Sequence, residues 1–191
     1  MKFYKIYYYF FCLLYIVINM GFVQDSPIVK TILSDESSFY YTNFKQYPLL
    51  EPNMPIGVFD SGTGGLTVMN AIVTLDLYNN KTHEKGADGI PDFSSEDFIY
   101  LADQANMPYG NYAAMHKTDL LQEHIIKDAQ FLLGTKYYNN NELYTNKKQI
   151  KVLVVACNTA TAYGLSDIEQ FFHNKIIDGR KCISYATIEL K

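Results

Sequence analysis

In "VVACNTATAYG", residues 154–164, a single thiol, Cys157, stands where an apolar run ends and polar, helix-starting residues begin. A thiol there feels the positive end of the helix, which favours thiolate, and Asn158, Thr159 and Thr161 can line such a start. The alternative is an inert thiol at a strand end, the commoner fate of a free cysteine. In "DSGTGG", residues 60–65, an acid and a hydroxyl are combined with three glycines just before a helix. Glycines let backbone N–H groups turn toward a ligand, and a helix N-terminus favours a carboxylate or phosphate. A tight strand-to-helix turn accounts for the same residues equally well. The stretch lacks the third glycine of a dinucleotide fingerprint and the Gly-Lys-Ser/Thr of a P-loop. A third stretch, "MPYGNY", residues 107–112, follows Asp103; on its own it reads as a turn with a packed aromatic ring.

These residues need elements to position them. "IGVFD", residues 56–60, is a short apolar run between Pro55 and the glycine cluster, the profile of a buried strand. Leu66, Met69, Val73 and Leu77 then recur at helical spacing. After a polar stretch, residues 79–97, expected as a surface insertion, "FIYLA" (98–102) predicts a second strand. Leu121, Ile125, Ala129 and Leu132 predict a long helix closed by Gly134. The Asn- and Tyr-rich "YYNNNELYTNKK" reads as a solvated insertion. "KVLVVA" predicts a third strand, followed by a helix through Tyr163 to Phe172, and "CISYATIE" a fourth strand. Strands alternating with helices argue for an α/β fold with a parallel sheet covered on both faces. Ligands in such sheets sit beyond the carboxyl ends of the strands. Asp60, Asp103 and Cys157 all fall at that end.

The totals narrow the function classes. A chain of 191 residues with 48% hydrophobic side chains is sized for one ordinary domain, and a net charge of −4 with scattered Lys and Arg leaves no basic footprint for nucleic acid. Cys12, Cys157 and Cys182 form no CxxC pair and have no closely spaced His pair beside them, so neither a disulfide framework nor a metal site is expected. Lys2 and Lys5 precede an apolar stretch, residues 6–23, with the charge and length of an export signal or a single membrane anchor. The expected organisation is a signal peptide or signal anchor over 1–25, a linker or irregular lead-in over 26–54, and one folded lobe over 55–191. The expected location is exported or membrane-anchored.

Taken together, "IGVFDSGTGGLTV", "IYLADQANMPYGNY" and "VLVVACNTATA", in this order and at corresponding strand ends, resemble the three N-terminal signatures of glutamate racemases, in the aspartate/glutamate racemase superfamily. The resemblance implies a flavodoxin-like lobe of a two-lobe fold and cofactor-independent racemisation of glutamate or a related acidic amino acid, in the service of cell-wall peptidoglycan synthesis. It implies two cysteines on opposite sides of the substrate, one taking the α-proton as thiolate and the other returning a proton. By matched motif Cys157 is the first of these, with Asp60 and Ser61 holding the substrate and assisting it. The resemblance further implies that Tyr109 and Gly110 bind carboxylate and that Asn158 and Thr159 contribute hydrogen bonds. Asp103 matches a family acid, and Glu189, in "ATIEL", matches more weakly an acid near the lobe junction. The opposing cysteine belongs to a Gly-Cys-Thr-His type signature, which does not occur before Lys191; "GRKCISYATIE" is unlike it, so Cys182 receives no catalytic role. The expectation is therefore a racemase-like lobe short of one proton donor, with a non-catalytic binder of acidic amino acids or peptidoglycan fragments as the alternative. The racemase chemistry is physically reasonable for these residue types, because an α-proton beside a carboxylate is weakly acidic. Its removal needs preorganised donors and a base titrating near ambient pH.

Overall fold

The computed structural model describes residues 26–48 and 51–173, together with the short strands β6 (Ile176–Ile177) and β7 (Arg180–Lys181) and residues 184–187. Cys12, Cys182 and Glu189 lie outside the described residues, as does the whole of residues 1–25.

Four parallel strands make the central sheet: β1 (Ile56–Asp60), β2 (Phe98–Ala102), β5 (Val152–Val155) and β8 (Ser184–Thr187). Their spatial order is β2-β1-β5-β8. Counting only these strands in chain order, the sequence across the sheet is second, first, third, fourth, the start of the flavodoxin-like order. The register pairs Ile56 with both Phe98 and Val152, so the strands finish within one residue of one another, at Asp60, Ala102 and Val155. This alignment brings Ser61, Asp103 and Cys157, each one or two residues beyond its strand, to one edge.

Every residue of β1 is buried, because it has a strand on each side and helices on both faces. Alternation along the strands divides the core in two. Ile56, Val58, Val154 and Ala156 face α2 (Gly65–Val73), which meets them through Val68 and Ile72. Phe59, Leu153 and Val155 face the other way, toward α4 (Thr118–Leu133) and α5 (Asn158–His173). The expected stripe on α4 is the observed one: Leu121, Ile125, Ala129 and Leu132 are fully buried.

Three local readings differ from the structure. The lead-in contains a helix, α1 (Pro27–Ser34), whose Ile28, Val29 and Ile32 enter the core. Proline at the first helical position starts a helix readily, and the i, i+1, i+4 apolar spacing fits a buried face. The segment after α1 is pinned as well. Tyr47 donates to the Ile150 carbonyl at 2.7 Å, the Phe44 ring stacks on Phe171 at 5.5 Å, and Gln130 Nε2 donates to Thr42 Oγ1 at 3.1 Å. In α2 the sheet-facing stripe is Gly65, Val68 and Ile72, while Leu66 is exposed and the helix ends before Leu77. That segment is apolar on several faces, so periodicity alone did not select the buried one. Within the Asn-rich insertion, β3 (Tyr137–Asn139) and β4 (Glu142–Tyr144) form an antiparallel hairpin. Asn140 and Asn141 turn it with positive φ of 48° and 66°, a conformation asparagine tolerates better than most residues.

The expectation of export or membrane anchoring does not stand. Among the described residues no helix is long and apolar enough to cross a membrane, and the segment that suggested anchoring, residues 6–23, lies outside them.

Candidate active site

Cys157 closes β5 and opens α5 at the same time. Its carbonyl accepts the first helical hydrogen bond, from the Thr161 N–H at 2.9 Å, and also the Thr161 hydroxyl at 3.0 Å. Its sulfur accepts from the Ala160 N–H at 3.5 Å. The thiol thus takes the place of the side-chain oxygen that ordinarily caps a helix start, three residues ahead of the amide it satisfies. An N–H directed at sulfur stabilises negative charge there more than it stabilises a neutral thiol. Only 7% of the residue remains accessible.

Facing this sulfur from the end of β1 is Ser61, whose Oγ lies 3.2 Å from Cys157 Sγ. Next to it Asp60 is buried, its Oδ2 accepting the Gly65 N–H at 2.8 Å from the first turn of α2. A carboxylate at a helix N-terminus is favoured by the unsatisfied N–H groups and the dipole. Two helix starts therefore converge on one edge of the sheet, one holding a carboxylate and the other a thiol. Gly65 permits the approach: a Cβ there would lie 2.7 Å from Asp60 Cβ and 3.1 Å from Ala156 Cβ.

Tyr100 completes this group, and sequence reasoning missed it. Its hydroxyl lies 3.2 Å from both Asp60 Oδ2 and the Gly62 carbonyl. Burial in the first place, then the neighbouring Asp60 charge, pushes the phenol up to about 12, so it remains a neutral donor. The signal was available in the alternation of β2: Tyr100 pairs with Val58, which points to the same face as Asp60 two residues on.

Asp103 occupies a second cluster. Its N–H donates to the Asp60 carbonyl at 3.0 Å, joining the two strand-end loops. Its carboxylate accepts from Asn106 Nδ2, at 2.9 Å to each oxygen, and from the Tyr109 hydroxyl at 2.6 Å. Tyr109 is buried, with 2% of its surface exposed, and its hydroxyl also lies 2.8 Å from Asp128 Oδ2 on α4. The Tyr109 side chain is thus engaged inside the protein, whereas Gly110, next to it at the start of α3 (Gly110–Ala114), is exposed. Met107 reaches back over the first loop, its sulfur 3.0 Å from where a Cβ on Gly62 would sit.

The structure therefore brings Asp60, Ser61 and Cys157 into one constellation and places Asp103 and Tyr109 beside it, linked through the loop backbone. Asn158 and Thr159 form the first turn of α5, Asn158 being exposed and Thr159 partly buried. Such a site offers a sulfur base or acid, a hydroxyl against it and backbone N–H groups around it.

A glutamate racemase of Halothermothrix orenii is 32% identical over 124 residues, covering 65% of this chain and 36% of that protein. A glutamate racemase of Clostridium novyi is 30% identical over 137 residues, covering 72% of this chain and 40% of that protein. Over this segment the chain is a relative of the glutamate racemases. It spans about a third of the length of the relatives it matches. No family model matches the chain. Among solved structures, glutamate racemase from Thermus thermophilus in complex with β-chloro-D-alanine shares 28% identity over 71% of this chain and 36% of that one, with a TM-score of 0.38.

Proposed function

We propose that this racemase-related lobe removes the α-proton of glutamate, or of a closely similar acidic amino acid, with Cys157 as the base. The observation that carries the reading is the 3.2 Å approach of Ser61 Oγ to Cys157 Sγ, with the Ala160 N–H on the same sulfur and the buried Asp60 adjacent. As thiolate, Cys157 takes the α-proton and becomes a thiol; the electron pair left on carbon delocalises into the substrate carboxylate. The Thr159 and Gly110 N–H groups would be the backbone donors to that carboxylate, and the Ser61 hydroxyl would donate to the sulfur while it is a thiolate. The reverse step returns the proton from the thiol to the same face. Inversion needs a donor on the opposite face, and Cys157 is the one free cysteine among the described residues. Asp60 holds the α2 start in place, and Asn158 and Thr159 flank the sulfur on the helix side.

The names of the relatives support the acidic amino acid as substrate, and the geometry supports one-base proton transfer. The test is exchange of the α-hydrogen of D- and L-glutamate in D₂O, followed by NMR, because exchange needs only one base. Exchange by the full chain that disappears in Cys157→Ser supports the proposal. Glutamate binding without any exchange would replace it with a non-catalytic binder.

A further inference from the structure

The Tyr109 hydroxyl carries one hydrogen, yet it lies 2.6 Å from a carboxylate oxygen of Asp103 and 2.8 Å from one of Asp128. If both carboxyls were ionised, one of these contacts would set two lone pairs against each other. Both are attractive only when one carboxyl is protonated and donates to the phenol oxygen while the phenol donates to the other. Asp103 already accepts two short contacts from the Asn106 amide, the setting of the ionised member. Among the described residues no amide donor stands beside Asp128; its side-chain hydrogen-bond partners are the Tyr109 hydroxyl and the Asp103 carboxyl.

From this count we infer that Asp128 is a positioning residue: as the neutral acid it donates to Tyr109, which donates to Asp103, and the relay ties the turn carrying Gly110 to the middle of α4. The electrostatics agree. Burial above all, with the Asp103 charge beside it, pushes the Asp128 carboxyl up to about 7, although the Tyr109 hydrogen bond acts in the opposite direction. Among the described residues the titratable groups acting on Asp128 are Tyr109, from the turn, and Asp103, from beyond β2. One turn earlier on its own helix, the His124 ring packs edge-on against Tyr112 of α3, so that helix is held at two points. The relay has a consequence for function that rests on the reading of Gly110 as part of the substrate site. Above the Asp128 titration the relay holds one proton fewer, two anions flank one phenol, and the turn loosens.

The relay can be tested apart from catalysis. The full chain with ¹³C-labelled aspartate carboxyls should show one carboxyl titrating near neutral pH, absent in Asp128→Asn. Backbone hydrogen exchange over residues 107–114, corrected for the intrinsic pH dependence, should accelerate about tenfold between pH 6 and pH 8.5, the scale of one lost hydrogen bond. Asp128→Asn, whose amide can donate at any pH, should remove that acceleration; Asp128→Ala should exchange fast at both pH values. Where glutamate exchange is measurable, Asp128→Ala should raise the half-saturating glutamate concentration more than it lowers the maximal rate, and Asp128→Asn should restore it. A turn whose protection is flat with pH, or an Asp128→Ala protein that protects it as well as wild type, would overturn the assignment. The expected relay behaviour in a protein that exchanges no glutamate would instead leave the relay standing and remove the proposed chemistry.

Discussion

Adding one methyl group at Gly65 is the sharpest probe of the site. The new Cβ of Gly65→Ala would sit 2.7 Å from Asp60 Cβ, 3.0 Å from Asp60 Cγ and 3.1 Å from Ala156 Cβ, all on short, buried side chains with little room to move. Overpacking of this kind costs about 1–3 kcal/mol. Displacing Asp60 also stretches the 2.8 Å bond from the Gly65 N–H to its carboxylate, a charge-assisted contact worth about 1.5–3 kcal/mol. The two losses share one displacement, so about 2–4 kcal/mol in total is expected. In urea, with a slope of about 2 kcal/mol per molar, the midpoint should fall by about 1–2 M. Gly64→Ala is the control. Nothing lies within 4 Å of a Cβ there and its φ of −63° already suits alanine, so the change should stay within about 1 kcal/mol of wild type. Far-UV circular dichroism reads both transitions, and glutamate α-hydrogen exchange should be lost in Gly65→Ala but kept in Gly64→Ala. Equal midpoints and equal exchange in the two variants would refute the claim that Asp60 is held against the start of α2.

Tyr100→Phe removes the donor shared by Asp60 and the Gly62 carbonyl; it should destabilise by about 1 kcal/mol in the same urea assay and slow glutamate exchange about tenfold. Because the phenol is pushed up to about 12, the wild-type exchange profile should show no limb from Tyr100 below pH 11. Asp128 sets a pH dependence of stability of definite sign. A carboxyl raised from 3.8 to about 7 keeps its proton longer in the folded state, so its contribution is complete below about 4 and is lost as pH rises toward 7. The ceiling is about 4 kcal/mol, to be discounted for partial exposure, and the difference in stability between wild type and Asp128→Asn should shift in that window. In the hairpin, Asn141→Gly should stabilise by about 0.5 kcal/mol and Asn141→Val destabilise by about 1 kcal/mol, read by thermal melting, because φ at that position is 66°.

Much of the frame was legible along the chain. The strands at 56–60 and 98–102, the buried stripe of α4 and the strand-to-helix turn at Cys157 follow from apolar runs, helical spacing and glycine punctuation, which are local properties. The three signature stretches also pointed to one edge of a parallel sheet, since each follows a strand. What the chain could not show is which partner each polar atom takes across the sheet. Only the common register of β1, β2 and β5 sets Ser61 against Cys157 and Tyr100 against Asp60. Only the packing of α4 beside the second loop turns Tyr109, expected at the ligand, into a buried link between Asp103 and Asp128. Spacing along a chain decides which face of an element a residue occupies; proton sharing and close approach depend on separations of about 3 Å between atoms far apart in sequence, and those exist only once the layers have packed.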